Sequence, residues 1–334
     1  VAGGDMLLAD GAGDPEAVAG HAGIADLAAQ TAASLQGEGD AAGATAAPEG
    51  PVRVSLDLSH VAGPHAMPTW IDRWLDEGYT GRIVQLGRSG DRARPFNPSP
   101  SSPEQQVARV FREALAAEGI DVAGDGDTRA QEVEAAQDAR ELASVESAAA
   151  RDVLALALAT SDNAMVEQLA RQAAVADGES ADQESVTAWI RQTMVDDYGL
   201  DMTGVRITDA SGLSDGTLIP VGVVADVLVA GADGSHPQLQ EVLAAGGLPI
   251  AGYTGTLATR FHLERHDPAV GNARAKTGTL PGVSSLAGTV VTQDGRLLVY
   301  AVTADDIDEG SAAIEAASVL DEIVAELARC GCSG

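Results

Sequence analysis

The 334 residues, 45% of them hydrophobic, can bury a sizeable core and suit two lobes better than one. Aromatic residues make up only 3%, so Ala, Val, Leu and Ile must build that core; twenty basic against fifty acidic residues give a formal charge of -30. Such a charge repels phosphate backbones and anionic membrane surfaces, which excludes nucleic acid as an expected partner.

In chain order, residues 1 to 20 are rich in Gly and Asp. Gly11-Ala12-Gly13 lacks the third glycine and the preceding strand that a dinucleotide loop needs. Ile24, Leu27, Ala28 and Leu35 predict an amphipathic helix beginning near Ile24, and Gln36 to Gly50 reads as a loop. Val52 to Leu58 alternates apolar and polar residues, the period of a half-buried strand. Trp70, Ile71, Trp74 and Leu75 fit a short packed helix. After a loop rich in Arg, Pro and Ser, a helix is predicted from Pro103 to Glu118, with Val107, Val110, Phe111 and Leu115 on one face. Gly119 to Gly124 reads as a short strand. The acidic run Asp125 to Arg140 is the expected boundary, dividing residues 1–140 from 141–334.

The second part opens with a helix from Arg151 to Thr160. It stops at Ser161-Asp162-Asn163, the start of a further helix through Val166, Leu169 and Ala170. Ser and Asp are ordinary N-cap residues, so capping alone accounts for the triplet locally. A helix from Ser185 to Tyr198 follows, stopped at Gly199, then a strand from Gly204 to Ile207 and a turn-rich loop from Asp209 to Gly216. Helices are predicted from Pro220 to Ala230 and Pro237 to Ala245. Arg274 to Thr279, Val283 to Thr292 and Arg296 to Thr303 form strands, the last two joined by a tight Gln293-Asp294-Gly295 turn, and a helix from Ser311 to Leu327 closes the chain.

The only lysine of the chain, Lys276, stands in Lys276-Thr277-Gly278 on the first of those strands. No other motif is as pointed. His262 and His266 have the spacing of a helical zinc pair, but the glutamate is misplaced and no third ligand is evident, so no metal and no cofactor is expected. Cys330-Gly331-Cys332 is two ligands short of a zinc site and is read as structural or incidental. No run of about 18 apolar residues suggests a transmembrane helix.

Ser161-Asp162-Asn163 and Lys276-Thr277-Gly278, in that order and on a helix start and a strand, resemble two of the three motifs of active-site-serine penicillin-binding proteins and β-lactamases. Ser161 through Arg171, Asp209 to Ser214 and Ala275 to Gly288 are similar to stretches of the D-alanyl-D-alanine carboxypeptidase/endopeptidase family, the class C low-molecular-mass penicillin-binding proteins. The resemblance covers most of 141 to 332 and residues 1 to 124 patchily. It implies an α+β transpeptidase fold, an antiparallel sheet flanked by helices, with residues 1–140 the remnant of an inserted accessory domain.

The resemblance also implies acyl transfer, in which a serine attacks the D-Ala-D-Ala amide of a peptidoglycan stem peptide, or a β-lactam, and water releases the product. Ser161 would relay a proton toward the leaving amine and Asn163 would hydrogen-bond the peptide stem. Lys276 would supply positive charge, while Thr277 and Thr279 would hold the terminal carboxylate and Gly278 would let the strand approach the peptide. The backbone N–H of Thr279 would be one arm of the oxyanion hole. Thr256, in Tyr253-Thr254-Gly255-Thr256-Leu257, would line the cleft. Substrate outside the cytoplasmic membrane implies an extracytoplasmic protein.

One departure is large. The nucleophile motif Ser-x-x-Lys needs a second lysine, and arginine, which stays protonated near neutral pH, is no substitute as a general base. The chain alone is therefore expected to be inactive. The opening Val1-Ala2-Gly3-Gly4-Asp5, with neither an initiator methionine nor the basic segment of a signal peptide, is read as the interior of a longer protein or a processed end. The fold is accordingly expected to be incomplete at its N-terminus. The alternative is a catalytically dead homologue that binds D-Ala-D-Ala-like peptides or acts as a scaffold.

Overall fold

The computed structural model describes residues 1–37, 50–124, 128–308 and 311–330. The expected loop at 38–49, the start of the acidic run at 125–127, and Cys332 lie outside the described residues. The chain divides into two compact units, Val1–Val153 with Glu167–Asp182, and Leu154–Val166 with Gln183–Gly334.

In the first unit, helix α1 (Ile24–Gln36) packs on helix α3 (Pro103–Ala117). The apolar stripe of α3 explains the pairing: Val107, Ala108, Phe111 and Leu115 are buried with Ile24, Ala28 and Leu56 in one cluster. Gly37 takes a left-handed conformation (φ 79°) and ends α1 with backbone bonds to Ala33 and Ser34 carbonyls. Helix α2 (Asp72–Asp76) is the short helix expected beside Trp70 and Trp74. The predicted strand at 52–58 is narrower than its alternation suggested. Only β1 (Ser55–Leu56) forms a ladder, pairing in parallel with β2 (Gln131–Glu132), and Val52 meets Val122 in a single bridge. The acidic run thus supplies the strand partner of β1.

Helices α4 (Ala150–Thr160) and α5 (Asn163–Ala176) flank the Ser161-Asp162 break. In the second unit, α6 (Gln183–Asp196) anchors the following loop through Arg191, whose guanidinium donates to the carbonyls of Met202 (3.0 Å) and Val205 (2.9 Å). The expected strand at 204–207 reduces to one bridge, Arg206 with Leu218, since no further residue continues the pairing. Helices α7 (Val221–Ala232) and α8 (Pro237–Val242) follow.

The end of the chain forms as its pattern predicts. Strands β3 (Ala273–Leu280), β4 (Val283–Val291) and β5 (Leu297–Ala304) make an antiparallel sheet in the order β3-β4-β5. Pro281-Gly282 turns β3 into β4 with Gly282 at φ 77°, and Gly295, at φ 80°, completes the turn into β5. Helix α9 (Ser311–Arg329) covers β4 with Leu320, Val324 and Ala325 over Ala273, Ala275, Leu286 and Val290, a core of small and aliphatic side chains as the aromatic-poor composition requires. α9 is further tied down by Asp321, which accepts from Arg260 Nη2 at 2.7 Å. His266 is fully buried in this unit, edge-on to Phe261. Among the described residues no group of three or more His, Cys, Asp or Glu is placed to hold a metal ion, and no helix is long and apolar enough to cross a membrane.

Candidate active site

Two breaks in regular structure bring the motif residues of the second unit together. At the first, α4 ends and Ser161 adopts a left-handed conformation (φ 58°), a strained state for a residue with a Cβ. Asp162 then caps α5: its Oδ1 accepts from the Met165 N–H at 3.0 Å. Capping and function are thus divided within the triplet, with Asp162 holding the helix start while Ser161 and Asn163 line a cleft. Asp162→Ala is expected to cost about 1 kcal/mol in chemical denaturation; an unchanged midpoint would show that the cap is not what holds Ser161.

The second element is β3. Lys276 Nζ donates to Ser161 Oγ at 2.8 Å and to the Thr277 carbonyl at 2.7 Å. Burial of the ammonium pushes its pKa down to about 8. Thr277 Oγ1 donates to Thr256 Oγ1 at 3.0 Å, which brings in the segment Gly255–Leu257 beside β3. The cleft, about 410 Å³, is lined by Ser161, Asn163 and the strand from Lys276 to Leu280, and is closed on another side by Ala210 to Leu213. Thr279 is exposed on its rim. Every predicted site residue, Ser161, Asn163, Lys276, Thr277, Gly278 and Thr279, borders this one space.

Two contributors were not foreseen. The turn-rich loop 209–214 resembles the family in sequence but carries no predicted site residue, yet buried Asp209 shapes it around the cleft, accepting from Gly212 N (2.8 Å), Ser214 N (2.7 Å) and Ser211 Oγ (3.1 Å). A short polar side chain bonding backbone a few residues ahead is the signal that could have shown it. Ser285 also lines the cleft, opposite Gly278 in the β3–β4 register. A Cβ at Gly278 would come within 2.2 Å of Ser285 Oγ. The glycine therefore leaves room for a neighbouring side chain on its own sheet in the rotamer that Ser285 adopts.

Residues 90–327 match the D-Ala-D-Ala carboxypeptidase 3 (S13) family. Carboxypeptidase DacB of Mycolicibacterium smegmatis is 29% identical over 286 residues, 84% of this chain and 58% of that protein. The D-alanyl-D-alanine carboxypeptidase of an Actinomadura species is 32% identical over 200 residues, 58% of this chain and 36% of that protein. The chain thus spans less than two thirds of the length of these relatives. In structure it resembles penicillin binding protein 4 of Haemophilus influenzae, with TM-score 0.68 and 19% identity over 83% of this chain and 74% of that one. A second structure of that protein, complexed with a β-lactam, gives TM-score 0.55 and 22% identity over 70% of this chain and 52% of that one. The fold is therefore the mixed α+β fold of penicillin-binding proteins. With its matched span covering both motifs, the chain belongs to the D-Ala-D-Ala carboxypeptidase 3 (S13) family.

Proposed function

We propose that the Lys276 cleft takes the D-Ala-D-Ala terminus of peptidoglycan stem peptides and supplies the relay and carboxylate-binding half of a serine carboxypeptidase/endopeptidase. The observation that carries this reading is the 2.8 Å bond from Lys276 Nζ to Ser161 Oγ, which joins motifs 115 residues apart. An ammonium that donates to a serine oxygen leaves that hydroxyl's own proton free to be passed to a leaving amine. The same positive charge, desolvated in the cleft, attracts a terminal carboxylate more strongly than a solvated lysine does. Thr277 and Thr256 share one internal proton, so the pair keeps one O–H to offer that carboxylate, with Thr279 on the rim as a further donor. Asn163, at the mouth of α5, suits the peptide stem. The Thr279 N–H serves as one oxyanion donor, a contribution that elsewhere amounts to about 3 kcal/mol in the transition state. Substrate of this kind lies outside the cytoplasmic membrane, and so does the protein in this reading.

These 334 residues contain no Ser-x-x-Lys, and their one lysine is already committed to the cleft. The chain by itself accordingly binds peptide or β-lactam without forming an acyl-enzyme. The same absence supports the second reading, a catalytically dead homologue that binds such peptides or serves as a scaffold. Intact-mass measurement after incubation with penicillin tests the point: an unchanged mass is expected, and a serine carrying one penicillin would overturn the predicted inactivity.

A further inference from the structure

The middle of α5 buries residues that helical patterning would place in solvent. Glu167, Gln168 and Arg171 are 0%, 1% and 2% exposed. Arg171 Nε and Gln168 Nε2 have no hydrogen-bond partner among the described residues. A buried guanidinium with an unmet donor is one of the least favourable arrangements in a folded chain, and native structures rarely keep one without a purpose. Both side chains line a cavity of about 220 Å³ whose walls belong wholly to the first unit and share no residue with the Lys276 cleft.

We infer that this cavity is a binding site for a small organic carboxylate, held by Arg171 and Gln168. The unmet donors on its wall favour an anionic acceptor, because the carboxylates nearby are engaged or lie at the edge. Glu104 is buried but already engaged by His65, whose Nε2 lies 3.2 Å from Glu104 Oε1. Glu132 stands exposed at the edge. Glu167 acts on Arg171 electrostatically and leaves its Nε unmet, while burial lowers the pKa of the guanidinium. What the wall leaves unmet are therefore donors, Arg171 Nε and Gln168 Nε2, and not acceptors.

The donor geometry favours a carboxylate. Gln168 and Arg171 are three residues apart and so neighbours on one helical face, and a planar guanidinium matches two coplanar oxygens better than a point charge does. The remaining wall includes Leu58, Val61 and Ile83, suited to a short aliphatic tail. The volume is sufficient, since a cavity of about 150 Å³ accommodates benzene. Gly63 fits the same account: a Cβ there would lie 2.6 Å from Arg171 Nη1, so the chain passes against the guanidinium only because that residue has no side chain.

The test uses the 334-residue chain with Lys276→Met, so that carboxylate uptake in the other cleft does not register. Saturation-transfer NMR with propionate is expected to show saturable binding in the millimolar range or tighter, with a matching rise in the thermal midpoint. Arg171→Met is expected to weaken it at least tenfold, the loss typical of a charge-assisted bond. Gln168→Leu removes the unmet amide with little change of volume. It is expected to weaken propionate several-fold while leaving the unliganded protein as stable or more so, whereas a purely structural Gln168 would lose stability and leave propionate unaffected. If Arg171→Met does not fold, Gln168→Leu decides. Absence of saturable binding, propionate binding unaltered in both variants, or binding of inorganic phosphate in preference to propionate would each overturn the assignment.

Discussion

Replacing Lys276 with methionine is expected to make the protein more stable at pH 7 and to remove its affinity for carboxylate-terminated peptides. The unfolded chain holds the lysine proton up to about 10.5, the folded chain only to about 8, because burial penalises the ammonium. Between those values the unfolded state binds more protons, so native stability rises with pH across that window. Below about pH 8 both states are protonated and the penalty is present in full. Its size is on the order of 3 kcal/mol, reduced by the bonds to Ser161 and the Thr277 carbonyl that methionine cannot make, at about 1 kcal/mol each. A net gain of about 1–2 kcal/mol is predicted. It should fall by about 3 kcal/mol as the pH rises from below 8 to above 10.5 and so turn into a net loss of about 1–2 kcal/mol, measured by denaturant titration at several pH values. A variant less stable than the parent at pH 7, with peptide affinity intact, would mean that Lys276 is a structural residue.

Gly288→Ala is expected to produce the largest loss of stability in the second unit. Gly288 lies opposite Ala275 in the β3–β4 ladder, and an added Cβ would stand 1.9 Å from the Arg274 carbonyl oxygen and 2.7 Å from Ala275 Cα. Both obstacles are backbone, so no rotamer change relieves them and the strands must separate. Overpacking of this kind costs about 3 kcal/mol. The consequence reaches the site, because the displaced strand is the one that carries Lys276. A lowered unfolding midpoint together with loss of peptide binding is predicted. The contrast with Gly278→Ala is informative, since there the obstacle is only Ser285 Oγ, which can rotate away, and a much smaller effect is expected. Equal stability of Gly288→Ala and the parent would contradict the register described.

The sheet was legible because its signals are local. Asp294-Gly295 between apolar runs marks a hairpin, alternation gives the faces, and a lone lysine in Lys276-Thr277-Gly278 points to a site without any knowledge of its surroundings. Even the partner of Gly278 was within reach, for counting outward from the Pro281-Gly282 turn pairs it with Ser285. What could not be read depends on distant pairing. The β1–β2 ladder joins residues 55–56 to 131–132, and the exposed Gln131 and Glu132 carry no pattern that announces a strand. The strand expected at 204–207 failed for the opposite reason, because its apolar and polar alternation had only Leu218 to pair with. Periodicity was equally silent on Gln168 and Arg171, whose burial inverts the usual placement of polar residues on a helix.

Calorimetric titration with an N-acylated D-Ala-D-Ala peptide and its C-terminal amide tests the account at its centre. The free carboxylate is expected to bind at pH 7 at least tenfold more tightly than the amide, with affinity falling as the pH rises through about 8 and Lys276 loses its proton. Equal binding of acid and amide, or an affinity for the acid that does not change across that range, would contradict the assignment of Lys276 and its neighbours to the substrate carboxylate.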